Sequence, residues 1–414
     1  MKNAALTVFS VTVTLILLML CDRFLLARFA GPYPHSLVFP AYSVFHHETP
    51  EFSYTARVNS LGFRDREWQT EKEQSTIRIL AIGDSFTFGW GVENNQAWPK
   101  VLENRLRERG YNIEIANLGR AGGSPGSYVQ VARKAIPVLK PDLIILATLQ
   151  ADDLAQTMME TDTSTVVKDN ATSDSFADRV KSGVRSMLPN AYTMTRQYLK
   201  KRRASAARRQ LLRDEWKAQA ESLFASYGDD ELARFESLDQ TVRDMFLEGG
   251  LNPALIGITV SDPAYVIDTF DTDNPKVQIA LDKMTEHYSE IKKEAEKAGS
   301  SVIVLSVPYG FISERDLNNR KKIGFSVLPG MLSSSLPDDA IRKVSEASGL
   351  LFLDVTNQFR IKAETDTLFF EYDGHFNAKG HAVFAELLMP LFEECILDKG
   401  GMVIQPDECI NRTP

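Results

Sequence analysis

The sequence predicts a three-layer α/β fold, a parallel sheet covered by helices on both faces and interrupted by one long helical insertion. Two observations predict it. From Ile77 onward, short apolar runs of strand length alternate with amphipathic stretches of helix length, the rhythm of βα units feeding a parallel sheet. The runs are also apolar without a break, which suits strands buried on both faces. Composition allows a core of that size, since 43% of the 414 residues are hydrophobic and 25% are charged, a globular balance. A net charge of −8 argues against nucleic acid as a main partner.

Residues 1–30 read as a signal-anchor. Ala4 to Leu20 carries no charge and its second half is strongly apolar. As a helix this stretch spans about 25 Å, just enough for a bilayer core if Cys21 and its neighbours help. A cleaved leader is disfavoured because Leu25 and Arg28 occupy the −3 positions before Ala27 and Ala30, where small residues are needed. No lipobox precedes Cys21, since Leu20 stands in its small-residue position. Residues 31–75 form a Pro- and aromatic-rich lead-in. Phe52-Ser53-Tyr54-Thr55 alternates like a strand and Asn59-Ser60-Leu61-Gly62 is turn chemistry. His46 and His47 have no Cys or carboxylate partner at useful spacing, so they read as exposed or packing residues.

The sheet domain covers 76–154 and 273–396. Its strands are expected at 77–82, 113–118, 142–149, 302–307 and 351–355, with helices at about 97–109, 126–139, 277–298, 337–348 and 379–394. Residues 155–272 break the rhythm as a mainly helical insertion, expected to sit beside the strand ends as a cap. Its basic run (Lys200, Lys201, Arg202, Arg203, Arg208, Arg209 and Arg213) is either a solvated helix face or a contact for an anionic lipid surface or polymer. In the tail, 397–414, Cys409 could bridge to Cys395 in an oxidising compartment, or both thiols stay reduced. No Cys/His cluster has metal-ligand spacing, and Asn411-Arg412-Thr413 is a glycosylation sequon only in form.

The chemistry centres on Gly83-Asp84-Ser85, a serine presented just past the first buried strand, where open α/β sheets place their reactive groups. A nucleophilic serine needs a base and a group that orients the base. Of six histidines, only His375 lies two residues after an aspartate, Asp373, with Gly374 easing the turn between them. His381 falls on the following helix, where packing or capping is its expected role. Gly119, Gly122 and Gly123 follow the second strand and let backbone N–H groups approach a reacting centre. Gln150, Asp152 and Asp153 follow the third. A parallel sheet brings these loops to one edge.

With these blocks in place, the chain resembles the SGNH (GDSL) hydrolase family over about 77–154 and 277–394. Gly83-Asp84-Ser85 matches the nucleophile block, Asn117 to Gly122 the oxyanion block, and Asp373 to Ala378 with Gly380-His381 the final block. The lead-in RVNSLGFRDREW is similar to the segment before the nucleophile in bacterial envelope members. The resemblance implies a three-layer flavodoxin-like sheet, a Ser85–His375–Asp373 triad, and an oxyanion hole from the N–H groups of Ser85 and Gly122. One block departs from the family pattern, because Asp152 stands where an asparagine amide would donate. Either Asp152 is protonated, or it points away, or Gln150 supplies the amide. The implied function is an esterase or O-acyltransferase acting on O-acyl groups, O-acetyl foremost, of an envelope carbohydrate. It would be membrane-anchored and extracytoplasmic, with neither metal nor organic cofactor. A non-catalytic envelope binding or assembly protein on the same fold is the second expectation, with envelope biosynthesis proteins as partners.

Overall fold

A computed structural model describes residues 2–26, 36–163, 186–192, 194–195, 212–271 and 273–397. Strands β1 (Val44–Glu48) and β2 (Ser53–Arg57) form an antiparallel hairpin from the lead-in. Five further strands, β3 (Ile77–Gly83), β4 (Ile113–Asn117), β5 (Leu143–Leu149), β6 (Ser301–Val307) and β7 (Leu351–Leu353), make the main sheet. Their order is β4-β3-β5-β6-β7, and every neighbouring pair is parallel. Counted within this sheet the order is 2-1-3-4-5, the flavodoxin-like arrangement, in which ligands bind at the carboxyl end of the strand where winding reverses. That strand is β3, and it ends at Gly83.

The described helices, in chain order, are α1 (Lys2–Phe24), α2 (Ser85–Phe88), α3 (Trp98–Glu108), α4 (Pro125–Leu139), α5 (Asp152–Thr163), α6 (Leu212–Phe224) and α7 (Asp229–Ser237). There follow α8 (Gln240–Leu247), α9 (Pro253–Ser261), α10 (Pro275–Lys297), α11 (Glu314–Lys322), α12 (Leu336–Ala347), α13 (Thr356–Thr365) and α14 (Ala378–Leu391). Successive residues of a strand point to opposite faces, and the core divides accordingly. Ile77, Ile79 and Ala81 pack with Trp98 and Leu102 of α3 and Phe384 of α14. Leu80 and Ile82 pack on the other face with Tyr128 of α4 and Met284 of α10. Each large aliphatic side chain so buried contributes about 1.5–3 kcal/mol relative to exposure.

Helices α2, α11 and α13 are absent from the sequence expectation. Glu314–Lys322 has the sequence ERDLNNRKK, whose single apolar residue, Leu317, gives no periodicity to detect. Strand β7 stops at Leu353, short of the expected 355, because Asp354 Oδ1 accepts from Thr356 N at 2.7 Å and turns the chain into α13.

The lead-in is tied to the sheet by a buried arginine. Arg64 donates from Nη1 to the carbonyls of Phe88 and Gly89, at 2.9 and 2.6 Å. His47 is buried against Trp90 and hydrogen-bonds Tyr54 Oη at 2.8 Å. Burial and then the Arg64 charge push its imidazole down to about 4, so it packs as a neutral ring. His381 is fully buried and accepts from Trp98 N at 3.2 Å, capping α3.

Helix α1 carries exposed apolar side chains, among them Phe9, Ile16, Leu17 and Phe24. Among the described residues no helix is long and apolar enough to cross a membrane, the side chains of residues 2–6, 8 and 11 not being among those described. At its end, Asp22 is buried and accepts from Asn190 N at 3.1 Å and Ala191 N at 2.6 Å. From 212 to 271 the insertion is helical, with a small apolar core of its own around Phe235, Val242 and Phe246. Of the basic run, Arg213 is described, 3.2 Å from Glu248; the rest of the run, Cys409 and the sequon lie outside the described residues.

Candidate active site

The carboxyl end of β3 delivers Ser85 as the first residue of the four-residue helix α2. Asp84 holds this turn, its Oδ1 accepting from Phe86 N at 3.0 Å. The loop after Phe369 brings Asp373 and His375 to the same place. His375 Nε2 lies 2.7 Å from Ser85 Oγ, and His375 Nδ1 lies 2.5 Å from Asp373 Oδ1. These are the contacts a serine, its base and the base's orienter must make. The imidazole is flanked by Phe86 and Trp90, with ring centroids at 4.8 and 5.9 Å.

Asp373 is held from three directions. Trp90 Nε1 donates to its Oδ2 at 3.2 Å. Glu51, at the turn of the β1–β2 hairpin, accepts from the backbone N–H groups of Tyr372 and Asp373 at 3.0 and 2.8 Å. Arg320, 2% exposed, donates to the carbonyls of Glu371 and Tyr372. Gly374 has φ +82°, and a Cβ there would lie 2.0 Å from the Arg320 guanidinium. Glycine is therefore demanded twice, by the backbone and by the packed arginine. Burial alone would raise the Asp373 carboxyl, but the facing imidazole, its hydrogen bond and that of Trp90 outweigh it and keep the group below its ordinary value. It is thus an anion at neutral pH, fit to fix the tautomer of His375.

Ser85, Gly122, Asp152, Asp373 and His375 all line one cavity of about 420 Å³. Gly122 has φ +67°, and a Cβ there would meet nothing within 4 Å, so backbone shape rather than space requires glycine. The insertion supplies part of the wall through Asn252, Leu255, Ile258 and Tyr265. Its Trp216 stacks on Trp90 with centroids 6.2 Å apart.

Gln150 is placed elsewhere. Its side chain is buried and its Nε2 donates to Asp338 Oδ1 at 2.6 Å and Thr356 Oγ1 at 2.7 Å, with Ser306 Oγ at 3.3 Å. A buried amide gains more from these fixed partners than from an intermittent ligand, so the expectation that Gln150 supplies an oxyanion donor is corrected. Asp152 does face the cavity. Its Oδ2 accepts from Gln156 Nε2 at 2.5 Å, and both residues line the cavity that holds Ser85. Burial raises its carboxyl, while hydrogen bonds from Gln156 and Tyr265 pull the other way. The residue before it, Ala151, has φ +58°, a left-handed conformation costly for a residue with a Cβ.

Two more carboxyls stand behind this loop. Asp153 is fully buried, accepting from Tyr128 Oη at 2.9 Å and Leu149 N at 3.0 Å. Asp84 is pushed up to about 7, by burial first and then by the charge of Asp152. Because the folded state holds this proton more tightly than the unfolded chain, the stability it contributes is complete below its ordinary value of 3.8. It is lost as pH rises from there through about 7. Asp153, also raised, adds to the same slope, whereas the depressed Asp373 acts at lower pH with opposite sign. Asp84→Asn keeps the Oδ1 cap and removes the titration. Its thermal midpoint is expected to fall less steeply than that of the parent between these limits, as calorimetry across pH measures. Parallel curves would show that Asp84 is ionised throughout.

Comparison with known proteins follows the same outline. The model of the GDSL-like lipase/acylhydrolase family matches residues 79–388, well over half of the chain. An arylesterase of Vibrio mimicus is 25% identical over 73 residues, 18% of this chain and 36% of that protein. Esterase TesA of Pseudomonas aeruginosa is 25% identical over 68 residues, 16% of this chain and 34% of that protein. The chain thus spans about a third of the length of these curated relatives. Among solved structures, the acetyl xylan esterase AlAXEase aligns with a TM-score of 0.36 and 10% identity, over 77% of this chain and all of that one. A crystal structure of TesA gives a TM-score of 0.34 and 12% identity, over 76% and 98%. From the family match over the sheet and its loops, the chain belongs to the GDSL-like lipase/acylhydrolase family.

Proposed function

We propose that the chain is a serine esterase that removes or transfers O-acyl groups, O-acetyl foremost, on a carbohydrate of the cell envelope. The observation that carries this reading is the Ser85–His375–Asp373 relay opening into a cavity. Ser85 Oγ attacks the ester carbonyl while His375 Nε2 takes its proton, and Asp373 stabilises the imidazolium. The carbonyl oxygen, now an anion, is held by the backbone N–H groups of Ser85 and Gly122. As the carbon–oxygen bond breaks, the imidazolium returns the proton to the leaving alcohol and an acyl-serine remains. Water, deprotonated by His375, then releases the carboxylic acid; a sugar hydroxyl in its place gives acyl transfer. The names of the matched relatives, an arylesterase and an esterase, support the reaction class. The sequence of the lead-in supports an envelope substrate. The uncharged stretch Ala4 to Leu20 and the exposed apolar residues of α1 support a membrane anchor, and the lead-in's resemblance to bacterial envelope members supports an active site outside the cytoplasm.

A fluorophosphonate probe tests the core of this reading. The folded parent chain is expected to form an adduct at Ser85, located by mass spectrometry, and Ser85→Ala is expected to form none. The carboxyl of Asp152 at the oxyanion end favours a second reading, a binding or assembly protein on the same fold. Absence of an adduct in the parent chain selects it. Protease protection in spheroplasts tests location, and free acetate against acetylated sugar separates hydrolysis from transfer.

A further inference from the structure

The catalytic cavity holds a hydroxyl that the Ser85–His375–Asp373 relay does not use. Tyr265 belongs to the insertion, yet it lines this cavity together with Ser85, Gly122 and Asp152. It sits in a tight turn after α9. Tyr265 N donates to Asp262 O at 3.1 Å, and Asp262 Oδ1 accepts from Ala264 N at 3.1 Å. Pro263 O accepts from Ser326 N at 2.8 Å, which pins the turn to the sheet domain. The Tyr265 ring packs on an apolar cluster that includes Ala151, Phe311 and Met331. A fixed ring therefore stands beside the loop that carries Asp152, and its hydroxyl hydrogen-bonds the Asp152 carboxyl.

A phenol has one proton to donate and accepts at the same oxygen, so what it presents to the cavity depends on its partner. Beside an ionised Asp152, the single proton is held by the carboxylate. Beside the neutral acid, the roles reverse. Gln156 Nε2 donates to Asp152 Oδ2, which suits the carbonyl oxygen of the acid and leaves the proton on Oδ1. That O–H donates to the phenol oxygen, and the phenol O–H is released toward the cavity. Burial favours the neutral acid. Asp84, Asp153 and Tyr309 each feel the charge of Asp152, and Asp152 feels that of His375. A phenol and a carboxylic acid kept neutral by its surroundings together make an effective oxyanion hole.

We infer that the Tyr265 hydroxyl is a third oxyanion donor, turned toward the reacting carbonyl by the neutral Asp152 acid and joining the N–H groups of Ser85 and Gly122. The inference rests on the esterase reading and gives the insertion a catalytic part in it. No proton is transferred in this arrangement: Asp152 and Tyr265 each keep their own and donate a hydrogen bond. The carboxyl in the oxyanion region is then the group that orients a donor while neutral and withdraws it once ionised.

Tyr265→Phe keeps the ring and removes the donor. The ratio of parental to variant kcat for p-nitrophenyl acetate, taken at each pH, cancels the titration of the shared base. That ratio is expected to be about 10² below the Asp152 titration and to shrink as pH rises through it, with KM changed little. In an Asp152→Asn background the same ratio is expected to be constant with pH, because asparagine does not ionise. Complete labelling of Ser85 by the fluorophosphonate probe shows that each variant is folded. A ratio near unity throughout, a ratio independent of pH with Asp152 in place, or a loss expressed in KM makes Tyr265 a wall residue only. Any of these overturns the inference and leaves the esterase standing. No turnover by the parent chain removes the esterase reading and the inference together.

Discussion

His375→Ala is expected to lower kcat for p-nitrophenyl acetate by a factor on the order of 10⁴ to 10⁶, with KM changed little. The size follows from what the imidazole does in this geometry. With Nε2 2.7 Å from Ser85 Oγ, it is the group placed to take the serine proton, and a neutral serine is a poor nucleophile at ordinary pH. KM is spared because the imidazole is a small part of a wall built mainly by other side chains. Ser85→Ala is expected to fall by a similar factor, and the double variant no further, because residues that act as one unit are lost together. Steady-state kinetics on the three proteins check this. If the two losses multiplied, Ser85 and His375 would be contributing separately and the relay would be wrong. A His375→Ala protein retaining a tenth of parental activity would also exclude His375 as the base.

The main strands and the Asp373–His375 pair were legible because each is local in sequence; the meeting of His375 with Ser85, 290 residues away, was legible only through the expected parallel sheet and the family resemblance. Unbroken apolar runs mark buried strands, and Asp373 precedes its histidine by two residues. What was hidden depends on contacts between distant segments. Glu51 grips the triad loop through backbone N–H groups, 321 and 322 residues away along the chain. No residue type marks a peptide group as a partner, so no motif could reveal it. Trp90 sits between Gly89 and Gly91, and its side-chain bond to Asp373 was invisible because 283 residues separate the two. Gln150 was misread because its partners Ser306, Asp338 and Thr356 come from three later segments that only the folded sheet assembles. Asp153, next to Asp152 in one polar cluster, turns inward to Tyr128, since neighbouring residues entering a helix face different ways.

Asp152→Asn is expected to raise kcat on the order of 10²-fold at alkaline pH and little at acidic pH, again with KM nearly unchanged. Losing or inverting one oxyanion donor is worth about 3–4 kcal/mol of transition-state stabilisation, and a full negative charge about 4 Å from the oxyanion would repel it by a similar amount at an effective dielectric of 20. The parent chain escapes this only while Asp152 holds a proton. Burial favours that state by raising the carboxyl, but Gln156 and Tyr265 both donate to it and favour its loss. As pH rises through the Asp152 titration the anion appears in the cavity and kcat falls. Asparagine cannot ionise and offers an N–H donor. The groups around it carry a second signature. Asp84 owes part of its elevation to Asp152, so in Asp152→Asn it should ionise at lower pH, which NMR titration of its carboxyl carbon reads independently of turnover. Tyr265 and Tyr309, both raised by burial first and then by Asp152, should shift down with it. Identical kcat profiles at every pH would place Asp152 outside the reach of the oxyanion, even if Asp84 moves. The two backbone donors would then carry the oxyanion, and the aspartate would serve to hold the Gln156 side chain in place.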